Sequence, residues 1–136
     1  MGKKILIVDD EEDLLIIWDK IFTDAGYTVL KAANGPDGIK LAESELPHLI
    51  ILDIMMPGMD GGRVTDILKD SRKTRGIPII YLSSLVHKDQ SHAGYVLGSR
   101  IGNLHFIPKT SSIEEIVHIV KETIGDLPEQ VKADGG

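Results

Sequence analysis

Short apolar runs alternate with longer stretches of helical periodicity along most of the chain. "KILIVDD" is a continuous β-rich run, the pattern of a strand covered on both faces. In the following "EEDLLIIWDKIFTDAGY", Leu14, Ile17, Trp18, Ile21 and Phe22 recur at i, i+3, i+4, i+7 and i+8. That spacing predicts a helix with these residues as its apolar stripe. Its acidic first turn suits the helix dipole, and Gly26 supplies a stop. "TVLKAA" predicts a second strand. "NGPDGIKLAESEL" predicts a second helix with Asn34 or Gly35 as cap, Pro36 in the first turn and a stop at Pro47.

"HLIILD" reads as the third strand and "GGRVTDILKDSRK" as the third helix. "IPIIYLSS" is a fourth strand, which Pro78 can only begin. "HKDQSHAGYVLGSR" is expected to form a fourth helix, although Gly94 and Gly98 each cost about 1 kcal/mol there relative to Ala. "LHFIP" is the fifth strand. Ser112 and Glu115 in "SIEE" make a capping box for a last helix, whose stripe is Ile113, Ile116, Val117 and Val120. Residues 125–136 lack periodicity and are expected to be a disordered tail, leaving 1–124 as one domain.

A strand and a helix repeated five times imply an α/β fold, a doubly wound parallel sheet with right-handed crossovers and helices on both faces. Ligands bind such sheets outside the carboxyl ends of the strands, at a topological switch point. Those ends carry Asp9 and Asp10, Asp53, Ser83 with Ser84, and Pro108-Lys109.

Composition narrows the chemistry. The 136 residues suffice for one domain with a real core. Fifteen basic residues against 21 acidic ones give a net charge of 15 − 21 = −6, which disfavours nucleic acid as a ligand within this chain. There is no cysteine, so disulfides and thiolate metal sites are excluded. The basic start is followed by too few apolar residues for a signal-peptide core, and no run is long enough to span a membrane. The protein is expected to be soluble and cytoplasmic. Its five histidines lack the spacing of a zinc helix and read as surface or structural groups.

Three carboxylates on one rim repel one another unless a cation compensates them. Hard oxygen ligands without His or Cys suit Mg²⁺. Lys109 adds a mobile positive charge that can pair with a carboxylate or a phosphoryl oxygen, and the Ser83 hydroxyl can donate to another such oxygen. The set fits the placing of a phosphoryl group on a carboxylate, with Asp53 as nucleophile and Asp9 and Asp10 holding the metal.

"ILIVDDE", "LIILDIMMPGMDG", "IPIIYLSS" and "FIPK" resemble, in order and spacing, the receiver domain of two-component response regulators, over residues 3 to about 124. The resemblance implies a flavodoxin-like five-stranded sheet in the order 2-1-3-4-5. It implies Asp53 as phosphoacceptor, Asp10 as a direct Mg²⁺ ligand, Asp9 as a ligand acting largely through water, and the Met55 backbone carbonyl as a further ligand. Ser83 becomes the switch hydroxyl, Lys109 the phosphate-binding lysine and Phe106 the switch aromatic. A sensor histidine kinase or phosphotransfer protein is implied as phosphoryl donor, and a downstream protein target or output domain as recipient of the signal. A homodimer on phosphorylation stays open. Such a domain is a signalling element rather than an enzyme, at most phosphorylating itself from small donors and slowly losing the phosphate.

Three features depart from the family pattern. Thr110 follows Lys109 where proline is usual, "SRIGN" looks like extra material before the fifth strand, and the switch hydroxyl is Ser rather than Thr. The resemblance implies that positions 55 and 85 flank the phosphate, and here they are Met55 and Leu85, both apolar and unable to orient a hydrolytic water. Two other classes compete. A flavodoxin-like cofactor binder would need a phosphate loop where "DDEED" stands. An aspartyl-phosphate phosphohydrolase would usually carry an acid at position 55. No output domain follows residue 124, so the chain reads as a stand-alone regulator or as a piece of something longer.

Overall fold

The computed structural model describes residues 3–54, 56, 58–83, 100–101, 104–108 and 111–125. Its elements are β1 (Lys4–Val8), α1 (Glu12–Asp24), β2 (Thr28–Ala32), α2 (Gly35–Glu45), β3 (Leu49–Asp53), α3 (Gly61–Asp70), β4 (Ile79–Ser83), β5 (Arg100–Ile101), β6 (Leu104–Pro108) and α4 (Ile113–Ile124). The strands form one sheet in the order β2-β1-β3-β4-β6-β5. The expected strands one to five are β1, β2, β3, β4 and β6, all parallel and in the order 2-1-3-4-5.

The sheet has one strand more than expected. Arg100 and Ile101 pair antiparallel with His105 and Leu104 and form the outer edge. They belong to "SRIGN", so part of that stretch is used as an added edge strand. Of the expected helix over 87–100, residues 87–99 lie outside the described residues and Arg100 is in β5 instead; the tail 126–136 and the Lys109–Thr110 bond also lie outside the described residues.

Alternation along the strands divides the core in two. Ile5, Ile7, Leu49, Ile51, Ile80 and Leu82 share a face with Leu15, Trp18 and Phe22 of α1 and Ile116 and Val120 of α4. Leu6, Val8, Ile50, Leu52, Ile79 and Tyr81 face Ala42 of α2 and Val64 and Leu68 of α3. Covering on both sides explains why β1 and β3 read as unbroken apolar runs.

On α1 the buried residues are Leu15, Trp18 and Phe22, whereas Ile17 is 48% exposed. The predicted stripe is therefore displaced toward Leu15. On α4, Ile116 and Val120 are buried and Ile113 is exposed. An apolar residue in the first turn lies at the margin of the sheet, where the helix has only begun to cover it.

The predicted caps form. Asn34 Oδ1 accepts from the Asp37 amide at 2.8 Å. Ser112 Oγ accepts from the Glu115 amide, and the Ser112 amide donates to Glu115 Oε1, each at 3.1 Å. Asp60 N-caps α3, with Oδ1 accepting from the Arg63 amide at 3.0 Å. Lys31 of the edge strand donates to Asp19 of α1 at 2.6 Å, and this bond is the main reason the Asp19 carboxyl sits below its usual range. An ion pair this exposed contributes under about 1 kcal/mol.

Helix α2 ends on Leu46, a non-glycine residue in the left-handed region at φ 48° and ψ 61°, with its side chain 50% exposed. That conformation costs an L-residue roughly 1–2 kcal/mol, and glycine adopts it freely. Leu46→Gly is expected to raise stability by about 1 kcal/mol in urea denaturation, with an unchanged m value.

Candidate acidic site at the carboxyl end of the sheet

Register brings the acids together. In the β1–β3 ladder Val8 pairs with Leu52, so one step further along the same direction Asp9 meets Asp53. The Asp9 amide donates to Ala32 O at 3.1 Å, which continues the β1–β2 ladder past the end of β1. By alternation both side chains belong to the face of Ile5, Ile7, Leu49 and Ile51. Neighbouring parallel strands lie about 4.8 Å apart, which sets the spacing of the two carboxylates. Asp10 follows in the turn leading to α1. Oxygens of Asp9, Asp10 and Asp53 all lie within 4.8 Å of one another.

Burial differs within the trio. Asp9 is 1% and Asp53 3% exposed, whereas Asp10 faces solvent. Asp9 Oδ1 accepts from the Glu11 amide at 3.0 Å. This bond turns the chain toward α1, whose N-cap residue Glu11 makes no side-chain cap of its own. The two buried acids flank the boundary between β1 and β3, where the strand order reverses. That is the switch point at which sheets of this type bind ligands.

The wall opposite Asp53 is the start of α3. The Gly61 amide donates to Ile54 O at 2.9 Å, and the Ile54 amide donates to Leu82 O at 3.2 Å. Thr65 Oγ1 donates to Gly61 O at 2.8 Å and lies 2.5 Å from the Tyr81 hydroxyl. With the Thr65 proton so used, Tyr81 is the donor in the second bond. Burial pushes the Tyr81 phenol up, which keeps it protonated for that role.

Ser83 ends β4, pairing with Pro108 of β6, and Phe106 lies in β6 opposite Tyr81. Their backbones are therefore at the same end of the sheet as the acids, or one pleat away. Met55 and Lys109 lie outside the described residues. Gly61 and the Thr65–Tyr81 link are not marked by any motif in the sequence. Asp60 as a helix cap was the available signal for where α3 begins, though not for its approach to Asp53.

A model of the response regulator receiver domain matches residues 5–121, nearly the whole chain. The chain belongs to the response regulator receiver domain family. It is 36% identical over 121 residues to the alkaline phosphatase synthesis transcriptional regulatory protein PhoP of Bacillus subtilis, an alignment covering 89% of this chain and 48% of PhoP. The chain thus spans about half the length of that relative. A CheY-like receiver domain protein from Methanospirillum hungatei JF-1 superposes with a TM-score of 0.74 at 26% identity, covering 98% of this chain and 100% of that one. The receiver domain of the sensor histidine kinase PA1611 from Pseudomonas aeruginosa PAO1, whose structure has a magnesium ion coordinated in its active-site cleft, shares the fold. Its TM-score is 0.75 at 24% identity, covering 93% of this chain and 100% of that one. No helix among the described residues of the receiver is long and apolar enough to cross a membrane.

An all-oxygen donor set, two members buried and one open to solvent, fits a hard divalent cation that keeps part of its water shell. Without a cation the three acids repel, each pair by about 1 kcal/mol at 4.8 Å even in the dielectric of water. Asp10→Asn is expected to raise the melting temperature of the metal-free receiver and to shrink the rise produced by saturating Mg²⁺. Thermal melts in EDTA and in MgCl₂ measure both effects.

Proposed function

We propose that the receiver accepts a phosphoryl group on Asp53 in a Mg²⁺-dependent reaction and passes the resulting charge change to a protein-interaction surface. The observation that carries this reading is the meeting of Asp9, Asp10 and Asp53 at the switch point of the sheet. Asp9, Asp10, Asp53 and the Met55 carbonyl would hold Mg²⁺, which when bound neutralises the carboxylates and the phosphoryl oxygens between them.

The remaining steps belong to the chain itself. Asp53, fixed at the end of a fully buried strand, presents its oxygen in line with phosphorus. That oxygen forms the new bond to phosphorus as the bond to the donor's nitrogen or oxygen breaks. Lys109, directly after β6, pairs with a phosphoryl oxygen, and Ser83 at the end of β4 donates to another. Movement of Ser83, with Phe106 in β6, would carry the change toward the β6 and α4 side of the molecule.

Residues 1–124 act as the receiver domain on this reading, in the cytoplasm, with a sensor histidine kinase or phosphotransfer protein as donor. A downstream protein or an attached output domain receives the signal, and a phosphorylation-dependent homodimer is one form that output can take. PhoP, of which this chain spans 48%, is a transcriptional regulatory protein.

Incubation with acetyl phosphate and Mg²⁺ is expected to add one acid-labile phosphoryl group by intact mass. EDTA or Asp53→Asn should abolish the adduct, and full labelling of Asp53→Asn would overturn the assignment. The phosphorylated form is expected to persist for many minutes, because Met55 and Leu85 cannot orient a water. Met55→Asn and Leu85→Glu should each shorten its lifetime, and together more than either alone, when followed by phosphate release.

A further inference from the structure

We infer that Gly61 is a positioning residue for the acidic site, its missing side chain being what allows the backbone of Asp53 and Ile54 to lie where the carboxylates converge. The inference rests on the phosphoacceptor reading above. A Cβ built on Gly61 would stand 2.9 Å from Asp53 O and 2.9 Å from Ile54 Cα. Both obstructing atoms are backbone, in the segment that carries the nucleophile. Elsewhere the crowding is softer. The nearest atoms at Gly35 belong to the side chains of Met59 and Val64, and at Gly38 to the side chain of Val8.

Gly61 has little room to retreat. Its amide is bonded to Ile54 O at 2.9 Å, and its carbonyl accepts from Thr65, which Tyr81 of β4 holds in turn. Asp60 caps the same turn. On the far side, Ile54 is bonded to Leu82, so the β3 end is also tied to the sheet. An added methyl therefore has to move the Asp53–Ile54 peptide, the first turn of α3, or both. A shift of a few tenths of an ångström at Asp53 O displaces a carboxylate from the two others, since all three meet within 4.8 Å.

The neighbouring glycine provides the control. A Cβ on Gly62 meets nothing nearer than Asp60 Oδ1 at 3.4 Å, an ordinary contact. Gly61→Ala and Gly62→Ala make the same chemical change in the same helical turn, with the same gain in helix propensity. A general effect of losing glycine at the start of α3 would appear in both.

The test is calorimetric titration of MgCl₂ into the wild-type chain and the two variants, at a temperature where circular dichroism shows each to be folded. Gly62→Ala is expected to bind like wild type. Gly61→Ala is expected to bind about tenfold more weakly or worse, the size of effect seen when groups that orient metal ligands are removed. Equal Mg²⁺ affinity in Gly61→Ala and wild type overturns the inference, even if the variant melts earlier, because a packing role alone would lower stability without changing affinity. A Gly61→Ala chain that is unfolded where Gly62→Ala is folded overturns it too, by showing that the crowding is relieved through loss of the fold and not through a local shift. Absence of Mg²⁺ binding by the wild type would overturn the phosphoacceptor reading and this inference with it, an outcome distinct from equal binding by all three proteins.

Discussion

The pairing of β1 with β3 is the constraint on which the rest depends. Side chains alternate along a strand, so sliding one strand by a single residue would exchange its two faces. Ile5 and Ile7 would then turn toward α2 and α3, and Asp9 would leave the face it shares with Asp53. Core packing and site geometry are therefore one requirement. The buried residues that hold the register, Leu6 and Val8 against Ile50 and Leu52 on one side and Ile5 and Ile7 against Leu49 and Ile51 on the other, also hold the carboxylates together.

That arrangement is costly by itself, since two of the acids are buried and all three are close. Burying like charges near one another is unfavourable unless the surroundings compensate. The Glu11 amide bonded to Asp9 offsets part of the cost. The many apolar residues buried on both faces supply the stability against which the remainder is set. A divalent cation bound there would lower it further, so affinity for the ion and the cost of the site without it would have the same origin.

Much of this was legible in the sequence, for specific reasons. Continuous apolar runs ending in Asp9 and Asp53 marked two central strands and the rim they share. Asn34, Ser112 and Glu115 marked helix starts through local hydrogen bonding, which depends on neighbours in the chain alone. The face of α1 was less legible, because "LLIIW" offers apolar residues all around the helix and only the sheet decides that Leu15 is covered and Ile17 is not. The strand of Arg100 and Ile101 was missed because two residues carry no period of their own. Gly61 was invisible as a site residue, since its importance comes from the approach of α3 to Asp53, a contact that no pattern of hydrophobic and polar positions records.

The approach of α3 also bears on how a change at Asp53 spreads. Asp53 is continuous with Ile54, whose amide and carbonyl are bonded to Leu82 of β4 and Gly61 of α3 respectively. Tyr81, next to Leu82, closes the circuit through Thr65 back to Gly61. The end of β3, the end of β4 and the first turn of α3 are thus joined by hydrogen bonds in a ring, and displacement of any one strains the bonds to the other two. Ser83 stands one residue beyond Leu82 on the same strand. On the phosphoacceptor reading, a new charge on Asp53 would act on a strand end that is already coupled to it through backbone hydrogen bonds.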